Sequence, residues 1–193
     1  MSEFLSNIAS LHTGHTIRSR EEIDPEGDCV FIQVKDWEAL ESAASRKSIT
    51  SRIVSKDLPD IQILKDQDIL IVSKGTNNRA ILYNGQFPMA VAASFFTIVR
   101  LRSERIKPAF LVWYINSPKA QEYFTANRAG TTTLNLSKKA IEDLPVPIPS
   151  LENQERIIRL ADTHAHYMRL MNEYRHLTTR LVEGFLNNQL NEA

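Results

Sequence analysis

A long stretch without proline at the C-terminal end of the chain limits the architectures that it can adopt. From Ser150 to Leu190 there is no proline, and the sole glycine is Gly184. Ser150 has the side chain of a helix N-cap. Glu152 and Glu155 follow it, where carboxylates favour the positive end of a helix dipole. We therefore predict one continuous helix of roughly 60 Å, at about 1.5 Å per residue.

Apolar residues in this predicted helix follow alternating steps of three and four, which is typical of a coiled-coil seam. The seam is interrupted by His164 and Thr178, and its members are Ile157, Leu160, His164, Tyr167, Met171, Tyr174, Thr178, Leu181 and Phe185. Such a helix is longer than a small domain can cover. We expect part of the seam to contact another chain; the alternative is that it folds back on residues 1–149.

The first 149 residues mix strand and helix patterns, so we predict one domain over residues 1–149 and a helix over residues 150–193. The predicted strands are Asp28–Val34, Ile49–Ser55, Asp68–Ser73, Arg79–Tyr83 and Ala90–Leu101. The predicted helices are Pro108–Ile115, Pro118–Asn127 and Ser137–Glu142, the last with Ser137 as its N-cap. Leu144–Pro149 should be extended, because three prolines at alternating positions exclude a helix.

Positive charge is concentrated in the middle of the chain although the total is balanced. The 23 basic and 23 acidic residues give a formal net charge of zero. From Leu64 to Lys139, however, eleven basic and four acidic residues give +7, whereas Met1 to Ile63 carries −4. Uneven charge of this size can focus a positive field on one face. The alternative is a solvated surface on which the charges alternate in space.

We find no residue pattern typical of an enzyme. The sequence lacks a phosphate-binding loop, a dinucleotide-binding glycine motif and an acid two positions before any lysine. Cys29 is the one cysteine, so no disulfide framework is indicated. His12 and His15 could share a helix face but have no third ligand nearby, and His164 and His166 would point to different faces of the predicted helix, so no metal site is indicated either. With no signal-like start and no membrane-length apolar run, we expect a cytoplasmic protein without a membrane partner.

Several motifs in order resemble those of the specificity subunits of type I restriction-modification systems. The matching segments are Gly14–Trp37, Asp68–Gly75, Ile106–Ile115, Ser117–Tyr123, Ala129–Ser137 and Leu144–Ile157. The last, Leu-Pro-Val-Pro-Ile-Pro-Ser-Leu-Glu-Asn-Gln-Glu-Arg-Ile, is the most specific, because it resembles the boundary between a recognition domain and the family's long helix. Gln67 stands where the family usually has glycine. The full family member carries two recognition domains, and this chain has room for one.

The resemblance implies an α+β fold: a mixed target-recognition domain that enters a DNA groove, followed by one long C-terminal helix of coiled-coil type. It also implies a non-catalytic chain without its own cofactor. Methyltransferase subunits would bring S-adenosylmethionine and the chemistry, and a motor-nuclease subunit can join them. With one recognition domain, we expect a homodimer through antiparallel helices, which would recognise two identical half-sites of a split palindrome.

Three patches are predicted to contact double-stranded DNA. In the first, Lys74 and Thr76 would hold phosphate while Asn77, Asn78 and Arg79 approach bases. The second consists of Thr131, Thr132, Thr133 and Lys138, and the third of Arg18, Arg20 and Lys35. For the first patch the alternative is an exposed polar turn that asparagine side chains stabilise.

Two other functions remain open on the sequence alone. One is a truncated specificity fragment that binds methyltransferase but not DNA, acting as an assembly factor or a silent cassette. The other is an unrecognised nuclease with its own active site, which the missing acid-x-Lys element disfavours.

Overall fold

The structure confirms the predicted α+β class with a long C-terminal helix. The computed structural model describes residues 2–19, 23–41, 49–56, 58–129 and 135–191. The chain divides into two compact units, Met1–Leu151 and Glu152–Ala193. The first unit combines short strands with short helices, and the second lies within one helix. The division falls two residues after the predicted boundary at residue 149.

The described part of the first unit contains eleven strands and five helices. In chain order they are β1 (Ser2–Phe4), α1 (Leu5–Ile8), β2 (Ala9–Thr13), β3 (Cys29–Ile32), α2 (Trp37–Glu41), β4 (Arg52–Ile53), β5 (Ile69–Val72), β6 (Ala80–Leu82), β7 (Ala90–Ala92), β8 (Phe96–Leu101), α3 (Pro108–Ile115), α4 (Pro118–Ala126), β9 (Arg128–Ala129), β10 (Asn135–Leu136), α5 (Lys138–Glu142) and β11 (Pro145–Pro147). Single 3₁₀ turns occur at Val34–Asp36 and Asp60–Gln62.

Two sheets form the centre of this unit. An antiparallel sheet has the strand order β2-β8-β5-β6, and a second sheet has the order β4-β3-β7, with β3 and β7 parallel. Every residue of β3 and β5 is buried. Because successive side chains of a strand point to opposite faces, Val30 and Ile32 pack into the larger core cluster, whereas Cys29 and Phe31 pack into a smaller one. The continuous apolar runs of β3 and β5 therefore reflect burial of these strands on both faces of their sheets.

Each predicted strand contains an observed strand that is shorter. One predicted strand is divided into two observed strands, which the sequence did not indicate. Residues 90–101 form β7 and β8, which a turn at Ala93–Phe95 separates. The predicted helices α3 and α4 are confirmed, and Ser137 caps α5 by accepting a hydrogen bond from Ala140 N. His12 lies in β2, so it does not share a helix face with His15.

The start of the buried strand β5 is secured by an ion pair. The Asp68 carboxylate is 1% exposed and accepts hydrogen bonds from Arg100 Nε (2.8 Å) and a terminal guanidinium nitrogen (2.7 Å). It also accepts a hydrogen bond from Lys65 N at 2.8 Å. The bend before this aspartate places Gln67 at φ 68°, a left-handed conformation that glycine adopts without strain. This explains why glycine suits the position that Gln67 occupies.

The end of β5 is secured by the loop that follows it. Asn78 is fully buried, and its amide nitrogen donates to Val72 O at 2.8 Å and to Gly75 O at 3.4 Å. Its amide oxygen accepts a hydrogen bond from Arg128 Nε at 2.8 Å. Gly75 has φ 98°, which allows the loop to turn back on the strand. Asn78 thus connects β5, its loop and β9.

The described part of the second unit, residues 152–191, lies within α6 (Leu151–Asn191), a single helix of 41 residues. Eleven large apolar side chains of this part are exposed: Leu160, Tyr167, Met168, Leu170, Met171, Tyr174, Leu177, Leu181, Val182, Phe185 and Leu186. Across the described residues, no helix combines the length and hydropathy needed to span a bilayer. The exposed face of α6 is apolar but interrupted by charge.

Substitution of Asn78 should destabilise the fold far more than substitution of its neighbour. We expect Asn78→Ala to lower the free energy of unfolding by about 1–3 kcal/mol, since it leaves the Val72 carbonyl and Arg128 Nε without their partner. The exposed Asn77 provides a matched control, and Asn77→Ala should change stability by no more than about 0.5 kcal/mol. Urea unfolding of the full chain measures both values. Equal effects of the two substitutions would contradict the assigned role of Asn78.

Candidate nucleic-acid interface

Two adjoining concavities on the first unit form a groove that we call the basic groove. One, of about 430 Å³, is lined by Lys74 to Asn77, Arg79 and residues around Trp37. The other, of about 340 Å³, is lined by His15 to Ile17, Phe31, Gln33 and Ala93 to Phe95. Val34 and Lys35 line both. The groove therefore collects residues from four segments that are far apart in sequence.

Exposed basic side chains line this groove. Lys74 Nζ donates to Ser94 Oγ at 3.4 Å, and Lys35 Nζ donates to Ser51 Oγ at 3.3 Å. The Arg79 guanidinium lies 5.2 Å from the Trp37 ring centroid. Lys35, which belongs to the third predicted patch, therefore lies in the same groove as Lys74 and Arg79 of the first patch.

Arg79 has an acidic partner at the rim of the groove. One of its terminal nitrogens lies 3.0 Å from Glu41 Oε1, and the two side chains are 49% and 45% exposed. Exposed ion pairs of this kind contribute about 0–1 kcal/mol. The guanidinium can therefore exchange this carboxylate for another acceptor at little cost.

The predicted base-contacting loop divides into exposed and buried members. Thr76 and Asn77 are exposed and line the groove. Asn78 is 0% exposed, and its amide is used in holding the loop, so no base can reach it in this conformation. The prediction that Asn78 approaches a base does not fit its burial. The alternative, a turn stabilised by an asparagine side chain, describes Asn78 correctly.

The other predicted contacts lie elsewhere or outside the described residues. Lys138 begins α5, forms a 3.7 Å ion pair with Glu142 and does not line the groove. Arg18 is exposed and follows the groove residues His15 to Ile17 in sequence. Arg20, Thr131, Thr132 and Thr133 lie outside the described residues.

Among the described residues, the titratable groups form no metal-binding cluster, and burial shifts the pKa values of Cys29 and His12. No three His, Cys, Asp or Glu side chains among the described residues are grouped so that they could hold a metal ion. Burial raises the pKa of the Cys29 thiol to about 11, so it remains protonated and unreactive at neutral pH. Burial, and then the positive charges of Arg100 and Lys138, lower the pKa of His12, which favours its neutral form.

Phe95 and Trp37 also line the groove, although neither was among the predicted DNA contacts. Phe95 is 50% exposed and lies beneath the Lys74 ammonium, 4.8 Å from the ring centroid. The sequence contained a signal for an exposed phenylalanine here. Phe95 and Phe96 are adjacent, and only one of two adjacent side chains can face the core where a strand begins. Phe96 is the buried member.

The fold is similar to that of several solved structures. The S subunit of a type I restriction-modification system from M. genitalium matches with a TM-score of 0.59 and 17% identity, over 86% of this chain and 39% of that one. The HsdS subunit from Thermoanaerobacter tengcongensis matches with a TM-score of 0.64 and 17% identity, over 86% of this chain and 37% of that one.

A third structure, from a study of complex assembly and conformational transition of the type I R-M system, matches with a TM-score of 0.68 and 18% identity, over 92% of this chain and 41% of that one. This chain thus spans about two fifths of the length of the structures it matches. No curated protein sequence matches it.

The family model described as "Type I restriction modification DNA specificity domain" matches residues 2–175, which covers most of the first unit and more than half of α6. The resemblance that the motifs indicated is confirmed by this match and by the fold. The chain belongs to the type I restriction modification DNA specificity domain family.

Proposed function

We propose that this chain recognises a DNA sequence and positions adenine methyltransferase subunits on it, without catalysing a reaction itself. The observation that carries the proposal is the basic groove, which brings Lys35, Lys74 and Arg79 together on a fold of the specificity family. Neutralisation of phosphates by Lys and Arg supplies most of the sequence-independent affinity for DNA. S-adenosylmethionine and the transfer of its methyl group belong to the partner subunit.

Five polar side chains of the groove each suit one kind of DNA contact. Lys35 and Lys74 are flexible ammonium groups that suit phosphate, and the Thr76 hydroxyl can donate to the same oxygens. The exposed amide of Asn77 and the forked guanidinium of Arg79 can form paired hydrogen bonds with purine edges. The loop that carries them follows a buried strand and is held by Asn78, so these side chains extend from a fixed backbone.

The exposed face of α6 supports the proposed assembly. Leu160, Tyr167, Met171, Tyr174, Leu181 and Phe185, all predicted members of the seam, are exposed, and so is His164. Ile157 is half-buried. On a helix of 3.6 residues per turn, the eleven exposed apolar side chains cover about half of the circumference, which is more than a two-helix seam needs. This width favours a second copy in antiparallel orientation together with a methyltransferase surface, and a motor-nuclease subunit can join that complex.

The host genome provides the direct test of function. Deletion of the gene should abolish adenine methylation at one split motif, which sequencing of methylated adenine measures. Two identical half-sites in opposite orientation would agree with a homodimer, whereas two different half-sites would contradict it. An unchanged methylome would contradict DNA recognition and favour the silent-cassette alternative.

The groove should account for the salt dependence of DNA binding. We expect the double variant Lys74→Ala/Arg79→Ala to reduce the slope of log K against log salt by about 2 on an arbitrary duplex, because without cognate bases both cations contact phosphates and both contacts are lost. Lys65→Ala is the control, since Lys65 is exposed and precedes the start of β5, whereas Lys74 follows its end. Fluorescence anisotropy with an arbitrary duplex measures both slopes. Equal affinity of the double variant and the wild type at physiological salt would exclude the groove as the binding surface.

The seam should determine the oligomeric state. Leu160 and Leu181 are 72% and 73% exposed on α6. The variant Leu160→Glu/Leu181→Glu places four carboxylates in the proposed dimer interface, so we expect a monomer in sedimentation experiments. Arg169→Glu, on the polar face, should remain dimeric. A wild-type chain that is monomeric alone but binds methyltransferase would show that α6 prefers the partner's surface to its own copy.

A further inference from the structure

The aromatic ring of Phe95 is held out from the fold in the second of the two concavities that form the basic groove. Phe95 lies in a tight turn between β7 and β8, which Phe96 N closes by donating to Ala93 O at 2.9 Å. The side chain is 50% exposed although the strands on either side of the turn are buried. An exposed phenylalanine among phosphate-binding cations has no role in the packing of this core.

The backbone that carries Phe95 is fixed on several sides. Ser73 donates to Phe95 O through both its backbone nitrogen (2.8 Å) and its hydroxyl (3.1 Å). Ala93 N donates to Ile32 O at 2.8 Å, and Gly14 N donates to Phe96 O at 3.0 Å. A Cβ on Gly14 would lie 2.2 Å from Ala93 O, so this close approach requires glycine. The ring therefore extends from a backbone that loses little further entropy when a ligand binds.

Phe95 is also paired with a phosphate-binding group. The Lys74 ammonium lies 4.8 Å from the ring centroid and contacts Ser94 Oγ. One face of the ring is thus covered by the cation, and the side chain is 50% exposed. A phosphate bound to Lys74 would bring one DNA strand within reach of the exposed part of the ring.

The group on DNA that suits this arrangement is the 5-methyl of thymine. It is the apolar feature of the major-groove edge, it projects toward the backbone of its own strand, and phenylalanine is among the side chains that contact it. We infer that Phe95 determines specificity by packing against a thymine methyl group while Lys74 holds a phosphate of the same strand. The inference rests on the proposed function and goes beyond it by naming the base and the mode of contact.

Methylated-adenine sequencing of hosts that carry Phe95→Ala or Phe95→Leu tests this assignment. With Phe95→Ala, one thymine of each half-site should be replaced by either pyrimidine, while the rest of the motif is retained. Phe95→Leu should keep the thymine, because leucine preserves an apolar contact. Phe4→Ala is the matched control, since Phe4 is 52% exposed on β1 and does not line the groove. A motif that Phe95→Ala leaves unchanged at every position overturns the inference.

A second measurement covers the case in which Phe95→Ala abolishes methylation. The wild-type complex with its methyltransferase is titrated with duplexes that carry deoxyuridine in place of one thymine at a time. Loss of one methyl contact should weaken binding about fourfold at one position of each half-site. Equal affinity for all these duplexes overturns the inference. An increase in the fluorescence of 2-aminopurine placed at the site also overturns it, because unstacking would indicate that the ring inserts between base pairs. If wild type and Phe4→Ala direct no methylation, the proposed function itself fails, and the inference with it.

Discussion

The groove exists because the polar groups at the end of a buried strand must find hydrogen-bond partners. All four residues of β5 are buried, and no water can satisfy its last backbone groups. The Val72 carbonyl is met by the Asn78 amide, the Ser73 nitrogen by the Phe95 carbonyl, and the Ser73 carbonyl by Leu136 N. Each bond recruits a different loop to the same edge of the sheet. The juxtaposition of these loops is thus a consequence of strand termination, and some of the side chains that they carry, such as Asn77 and Phe95, face solvent.

The elements with strong local signals could be predicted from the sequence. Proline at the start of α3 and α4, the Ser137 cap and the proline-free stretch of α6 each have a local physical cause, and each was confirmed. The region before residue 14 was not predicted, because β2 alternates small, polar and apolar residues over only five positions. Its pairing with β8 and the pairing of β1 with β11 are long-range contacts that no local pattern records.

The candidate site could be predicted only in part, for a related reason. Asn77 and Asn78 are the same residue type in adjacent positions, yet one is exposed and the other is fully buried. What separates them is the Arg128 guanidinium, fifty residues away, together with the strand end that the amide must satisfy. Lys35 joins the groove because β3 lies parallel to β7, a pairing that the sequence does not indicate. Residue types identified the loop, whereas tertiary contacts decided which of its side chains are available.

A neutral chain with a small basic groove should depend on pairing for its affinity. One groove offers Lys35, Lys74 and Arg79, and Arg79 must first leave Glu41. Since each neutralised phosphate contributes a slope of about 0.9 in log K against log salt, three contacts give weak non-specific binding at physiological salt. Two grooves joined through α6 would double the number of contacts, and the second would bind at the high effective concentration that the first creates. An isolated copy would then bind DNA weakly anywhere, and tight binding would require two half-sites at the spacing that the helices set. In this arrangement the apolar face of α6 would contribute to specificity as directly as the residues that are proposed to contact bases.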